Sequence, residues 1–594
     1  MSTVEAIRTP SSTASRTDPP RQWTTWWNLA VVALPVALLA LLGWRHRALT
    51  DDGTIFLRTV RQILAGNGPV LNAGERVEAN TSTLWQWLLA LLGWVFPGDI
   101  GFITVVTGLV FTTAGLAVAC DATRRLHARR ARRPIPLAPA GILVFLALPP
   151  FWDFSTAGLD TGLGTLWLAG CWWLFVRDAD PARRGTGGLP AAAWYGAGFL
   201  VRPELAVVTA AFLTGAWLLR RPSWRRTAAW LAVAGAGSVA YEIFRAGYYG
   251  LLTPMPALTK EAGETELGLG WRYGADFAAP YFLSIPLAVL AVAGAVFFRR
   301  AGTRDRIVTG TPVVAAALLA AYVVKVGGDY MHARMLLPPL FLALLPVLVV
   351  RATRSLATVS LAVTVWAVAC IGPWHPSAFT PTAGAAGAKT VVVHTSDIGI
   401  TGTRNADRTD DWLRAFPELR AAIAQGMAGP QPVLLHLRPG DHGFDSAVPL
   451  NPAYADTQVS VPGWYLGVTG AAVPLDQRIV EMWGLANTVG AHLEYPDDWR
   501  EYWPGHRKLI DDVWLLALEL DPRVTEPPPG YPKATAAGLA AARHALSCGD
   551  LKELLDSTRE PLTVKRFWSN LTGAASRTAL RIPRDPIAAE ARFC

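Results

Sequence analysis

Between residues 28 and 372 the sequence returns eleven times to an apolar run close to the length of a membrane span: 28–44, 101–119, 138–152, 160–176, 190–202, 204–219, 227–246, 280–298, 307–325, 335–350 and 355–372. A hydrocarbon core roughly 30 Å thick takes about 20 apolar residues to cross as a helix. Inside lipid each backbone amide must be satisfied within the protein, which leaves helices as the way for such runs to cross. Composition agrees, with 52% of residues hydrophobic and 17% charged, against about 25% charged in a soluble domain. Past residue 372 the charge density becomes ordinary. The pattern therefore predicts an α-helical polytopic membrane protein, about 11 transmembrane helices over 28–372, with a soluble domain over 373–594. Residues 1–27, rich in Ser, Thr, Pro and Arg, read as a disordered cytoplasmic tail, and the first run as a retained anchor.

The net charge of +9 does not point to nucleic acid, because the arginines cluster between apolar runs: 124–133, 183–184, 220–226, 299–306 and 351–354. Lys and Arg accumulate in this way in cytoplasmic loops. One apolar stretch, "LWQWLLALLGWVF" at 84–96, is too short to span; counting it would flip everything after it and put the cluster at 124–133 outside, whereas leaving it out places all five clusters on the same side as the N-terminus. It reads as an interfacial or re-entrant helix, its tryptophans suited to the headgroup level. The C-terminal domain then lies outside, together with segments 45–100, 153–159, 202–204, 247–279 and 326–334.

Most of the unusual polar residues fall in those external segments. The loop 45–100 carries adjacent Asp51 and Asp52, followed by Glu75 and Glu78. One aspartate suffices to cap the helix beginning "GTIFLRTVRQ", so a second suggests a base, a metal ligand or a cation clamp. In "FWDFSTAGLDTG", Asp160 either meets the dipole of the next helix or contacts substrate. Arg202 and Glu204 flank a proline in "VRPEL", as a mutually satisfied ion pair or as the polar wall of a cavity. Lys260 is either a solvated loop lysine or a cation placed to hold phosphate. "KVGGDYMHARMLLPP" adds Asp329, His332 and Arg334 between two apolar runs, although a histidine in such a loop is often only a hydrogen-bond partner. Carboxylates and cations gathered at one membrane face suit chemistry on a lipid-linked phosphate. No Walker loop, HExxH, nucleophile elbow or dinucleotide fingerprint occurs. A transporter of lipid-linked sugars would string such groups through the spans or repeat them in two halves, and neither pattern appears. A scaffold that merely binds polysaccharide leaves the Asp51–Asp52 loop without a task.

In the C-terminal part, "TVVVHTSDIGI" and "QPVLLHLRP" read as strands. "DDWLRAFPELRAAIAQG" and "TAAGLAAARHALSCGDLKELLD" read as helices. This is an α+β cap, with Trp464, Tyr465, Trp483, Trp499 and Trp503 as core or as sugar-stacking surface. Cys548 and Cys594, the two cysteines beyond residue 372, pair if this domain faces an oxidising compartment. Cys120, Cys171 and Cys370 pack in or beside apolar runs.

The stretch "TDDGTIFLRTVRQILAGNGPVLNAGERVEANTSTLW" resembles the first external loop of the GT-C glycosyltransferases, which use polyprenyl-phosphate sugars. With "STAGLDTGL", "LVRPELA", "YYGLLTPMPALTKEAG", "GGDYMHARMLLPP", "GLANTVGAHLE" and "WPGHRKLID", it resembles in particular the actinobacterial terminal β-(1→2)-arabinofuranosyltransferases. That resemblance implies a GT-C fold in the plasma (inner) membrane with a periplasmic cap. Its donor would be decaprenylphosphoryl-D-arabinofuranose and its acceptor the arabinan of arabinogalactan or lipoarabinomannan. Other GT-C enzymes take other polyprenyl-linked sugars, mannose among them. The catalytic aspartate maps onto Asp51 or Asp52. Substrate-binding roles are expected for Glu78, Asp160, Arg202, Glu204, Lys260, Asp329, His332 and Arg334, with Lys260 and Arg334 gripping phosphate. A β-linked donor giving a β-linked product implies retention, by a covalent carboxylate intermediate or by same-face attack. No cofactor is implied with certainty, but a divalent cation is possible, held if at all by Asp51 and Asp52.

Overall fold

The structure, a computed structural model, describes residues 21–128, 135–180, 188–261, 263–371, 407–438, 443–454, 456–497, 499 and 505–594. The tail before residue 21, the arginine pair at 183–184, the strand expected within 390–400 and Trp503 lie outside the described residues.

Five of the described helices are long and apolar enough to cross a membrane: Trp23–Arg45, Ile100–Ala128, Trp224–Tyr249, Thr303–Lys325 and Arg354–Ile371. Their outward faces leave Leu34, Val239, Leu318 and Leu361 half or more exposed, as suits side chains facing lipid rather than water. Further apolar runs form helices at Thr161–Asp178, Gly188–Gly196, Ala206–Arg220 and Ser284–Arg299. The run at 84–96 is the 13-residue helix Thr83–Val95, about 20 Å long at 1.5 Å per residue.

Two of the eleven runs are divided between helix and strand. The run at 138–152 is divided into the strand Leu137–Pro139 and the short helices Gly141–Ala147 and Pro149–Asp153. The run at 335–350 is divided into the helix Leu337–Leu344, a single turn at Leu345–Val347 and the strand Val349–Arg351. Prolines at 149, 150, 338, 339 and 346 remove amide donors and break the helical ladder. The two strands pair antiparallel, with Leu137 opposite Arg351, and Leu348 O accepts from Ala140 N and Ile142 N. Ala140 through Leu148 are buried, so this irregular backbone is shielded by protein, where membrane proteins tolerate it.

The C-terminal part is a small α+β unit. Its four-stranded sheet runs in the order Phe444–Pro449, Val433–Leu437, Val459–Gly463, Arg478–Glu481. The first pair is antiparallel and the others parallel. Pro417 and the Cys548–Gly549 junction each divide a stretch read from sequence as one helix, giving Thr409–Ala415 with Pro417–Ala428, and Ala536–Ala545 with Gly549–Arg559. Cys548 and Cys594 are joined in a disulfide.

The loop between the first two long helices is the seat on which this unit rests. The buried guanidinium of Arg58 donates to five carbonyls, Leu71 O from its own loop and Gly470, Val473, Pro474 and Gln477 O from the C-terminal unit. Asn72 exchanges two hydrogen bonds with Ile479. Glu75 pairs with Arg478 at 3.0 Å and Arg559 at 3.2 Å. Burial raises the Glu75 pKa, but the two guanidiniums outweigh it and hold the carboxylate down to about 2.

Candidate active site

The helix Asp51–Leu64 is capped by Thr50, whose hydroxyl accepts from Gly53 N at 3.2 Å. Neither aspartate is therefore spent on the N-cap. Both sit in the first turn, where the helix dipole favours an anion, yet they face different surroundings. Asp51 Oδ1 accepts from Val468 N at 2.8 Å, at the start of the helix Leu466–Ala472 in the C-terminal unit. The two helices touch so closely that a Cβ on Gly467 would lie 2.0 Å from Asp51 O. Burial, then the charge of Asp52, raises the Asp51 pKa to about 7, against the opposing hydrogen bonds from the Val468 and Gly467 amides.

Asp52 faces a cavity of about 700 Å³. Tyr330 donates its hydroxyl to Asp52 Oδ1 at 2.8 Å, and Arg334 Nη1 donates to Oδ2 at 3.2 Å. Arg334 also lies 2.6 Å from Asp329 Oδ2 through Nε. That contact is an ion pair without hydrogen-bond geometry, and both atoms remain buried without a hydrogen bond. Burial pushes the Asp52 pKa up, but Arg334, Lys260, His506 and the Tyr330 hydroxyl together hold it below the ordinary value. Asp52 is therefore ionised at neutral pH, and of the two adjacent aspartates it is the one the cavity sees.

The same wall holds a second ion-paired group. Arg202 lies 2.5 Å from Glu204 Oε1 and 3.3 Å from Asp160 Oδ1; Asp160 Oδ2 is buried without a hydrogen-bond partner. Lys260 closes the constellation. Among the described residues its ammonium makes no ion pair, and burial lowers its pKa against the pull of Asp329 and Asp52. Its charge meets Asp329 and Asp52 through space and not through a direct ion pair. One flank is apolar, formed by Phe199, Val239, Leu252, Tyr322 and Val326, with Val239 59% and Leu252 40% exposed on its outer side. The opposite flank comes from the C-terminal unit through Leu485, Gly505 and His506.

Of the ten residues singled out from sequence, seven line this cavity: Asp52, Asp160, Arg202, Glu204, Lys260, Asp329 and Arg334. Three do not. Asp51 turns to the C-terminal unit, as described. Glu78 is buried against Arg245 Nε at 2.7 Å and the Tyr241 hydroxyl at 2.7 Å, where it fixes the end of the helix Trp224–Tyr249. His332 is buried between Asp276, 2.6 Å from Nδ1, and the Tyr281 hydroxyl, 3.1 Å from Nε2. Each of these two is held by partners far away in sequence, which is why the loop pattern alone could not separate them from the wall residues.

Tyr330, Glu242, Arg245 and His506 also belong to the site and were not assigned to it from sequence. Tyr330 and His506 stand inside the quoted motifs "GGDYMHARMLLPP" and "WPGHRKLID", which was the available signal. Trp483 and Trp464 meet edge-on at 5.9 Å behind His506. Tyr465 is exposed, and Trp499 stacks under Arg507.

A divalent cation fits Asp51 and Asp52 poorly, because their oxygens serve different protein donors, Val468 N on one side and Tyr330 with Arg334 on the other. Among the described residues, the one group of three His, Cys, Asp or Glu ligand atoms close enough to share an ion is His544, Cys548 and Cys594. Two of its members form the disulfide.

The model of the AftB family C-terminal domain matches residues 446–591, which include Gly467, Trp483 and His506. The terminal beta-(1->2)-arabinofuranosyltransferase of Corynebacterium glutamicum is 34% identical, covering 91% of this chain and 84% of its own length. The terminal beta-(1->2)-arabinofuranosyltransferase of Mycobacterium tuberculosis is also 34% identical, covering 94% of this chain and 96% of its own length.

Proposed function

Because the chain belongs to the AftB family of terminal β-(1→2)-arabinofuranosyltransferases, we propose that it moves D-arabinofuranose from decaprenylphosphoryl-arabinose onto the non-reducing ends of cell-wall arabinan. The linkage formed is β-(1→2), the acceptor is the arabinan of arabinogalactan or lipoarabinomannan, and the enzyme works at the outer leaflet of the plasma membrane. Its N-terminus is cytoplasmic, the spans and loops of 28–372 form the GT-C domain, and the cap of 373–594 is periplasmic. The observation that carries this reading is one cavity holding an ionised carboxylate, Asp52, two cations, Lys260 and Arg334, and an apolar flank.

The donor is a phosphodiester on an isoprenoid chain. Phe199, Val239 and Leu252 take the first isoprene units, while the phosphate lies against Lys260 and Arg334. When the C1–O bond breaks, the departing decaprenyl phosphate gains a second negative charge. Fixed cations at that point favour the transition state over the bound donor. Asp52, oriented by the Tyr330 hydroxyl and Arg334, attacks the anomeric carbon from the face opposite the phosphate and forms a glycosyl ester. The acceptor hydroxyl then displaces Asp52, and two inversions restore the β configuration. Asp160, Arg202, Glu204 and Asp329 are left to bind sugar hydroxyls, a site already rich in fixed dipoles and charges.

The test is product analysis. Purified protein incubated with a synthetic polyprenylphosphoryl-β-D-arabinofuranose and an arabinan oligosaccharide should add one β-(1→2)-linked residue, read by linkage NMR. Transfer of a different sugar in preference, or an α-linked product, would overturn the reading.

A further inference from the structure

The reaction has one proton to move. Phosphate is a good leaving group and departs without protonation, so the first half-reaction needs no acid. The second does need a base, because the acceptor hydroxyl must lose its proton as it attacks. The carboxylates of the wall are already held by protein cations. Asp52 and Asp329 both face Arg334, Asp160 and Glu204 both face Arg202, and Glu242 pairs with Arg245 at 2.6 Å.

His506 also lines the wall, and imidazole is the side chain whose ordinary titration falls near neutrality. It reaches the cavity from the C-terminal unit and interacts electrostatically with Asp52. Tyr330 ties the two together: its hydroxyl bonds Asp52, and its ring meets the His506 ring edge-on at 4.9 Å. Trp483 also meets the imidazole edge-on, at 5.4 Å, so two aromatics pack against the ring. Gly505, at φ +87, carries the turn that delivers it, and a Cβ there would lie 2.7 Å from Lys260 Cε. Among the described residues, Asp52, Tyr330 and Trp483 face the imidazole, with Lys260 beside Gly505 and Arg334 beyond Asp52.

We propose that His506 is the general base of the second half-reaction, taking the proton of the arabinan hydroxyl as that oxygen displaces Asp52 from the anomeric carbon. The new O–C1 bond forms, the C1–O bond to Asp52 breaks with its electron pair returning to the carboxylate, and the imidazolium later gives its proton to solvent. The inference rests on the double displacement at Asp52 set out above. It also makes the C-terminal unit a contributor to the chemistry rather than a surface for acceptor alone.

The test uses full-length His506→Ala and His506→Gln protein in nanodiscs, with the synthetic donor and an arabinan oligosaccharide. Rapid quench should show about one equivalent of polyprenyl phosphate released at the wild-type rate, followed by turnover about 100-fold slower than wild type. The acid limb of the pH–rate profile should disappear. Azide, a nucleophile with no proton to lose, should restore turnover of His506→Ala and yield the β-arabinofuranosyl azide. Wild-type turnover and pH profile in both variants would overturn the proposal. So would an equal loss of burst and turnover without azide rescue, the signature of a merely structural role. If wild-type protein transfers nothing from this donor, the substrate reading itself falls and the proposal with it.

Discussion

Adjacent aspartates with opposite surroundings should respond to the same substitution in opposite ways. Asp51 has its pKa raised from 3.8 to about 7, by burial first and then by the charge of Asp52. A carboxyl whose pKa rises on folding favours the folded state while protonated. Its contribution is complete below the ordinary carboxyl pKa and is lost as the pH climbs through about 7. The difference of about 3 units (7 − 3.8), at 1.36 kcal/mol each, amounts to about 4 kcal/mol. This is an upper figure, because Asp51 keeps part of its surface in solvent. Asn keeps the oxygen that accepts from Val468 N and carries no charge. Asp51→Asn should therefore unfold several degrees above wild type at pH 8.5 and close to wild type at pH 4.5, followed by tryptophan fluorescence on heating. Its transferase rate should stay within a few-fold of wild type, whereas Asp52→Asn should lose about 10³-fold or more. A stability gap equal at both pH values, or transfer abolished by Asp51→Asn and spared by Asp52→Asn, would refute the reasoning.

Arg58→Ala strands its carbonyl partners and should cost at least about 1–3 kcal/mol, exposing the junction between loop 45–100 and the C-terminal unit to limited proteolysis. Gly467→Ala sets a Cβ 2.0 Å from Asp51 O and Thr54 Oγ1, and should lower the unfolding temperature without changing the sequence of the site. Lys260→Met removes a cation of the cavity wall and should raise the donor KM about tenfold or more, with acceptor KM little changed.

The long helices were legible because each is an apolar run with flanking charge and little to interrupt it. The divided runs at 138–152 and 335–350 announce themselves by paired prolines, but that their ends pair as strands is a tertiary fact. The seven cavity residues lie in the loops between apolar runs or at the ends of those runs, which hydropathy reveals. The choice between Asp51 and Asp52 was not legible. Successive residues on a helix point about 100° apart, and which one meets the cavity depends on the seat that helix Leu466–Ala472 takes some 415 residues later. Glu78 and His332 read as site residues until Arg245 and Asp276, their buried partners, are seen. His506 stands inside a quoted motif, but nothing local says that its turn reaches Lys260.

The most direct measurement is a structure of the protein bound to a non-hydrolysable phosphonate analogue of polyprenylphosphoryl-arabinofuranose. The phosphonate oxygens should lie within about 3 Å of Lys260 and Arg334, with the anomeric carbon turned toward the Asp52 carboxylate. An analogue seated elsewhere, or a sugar whose anomeric carbon faces away from Asp52, would contradict the account.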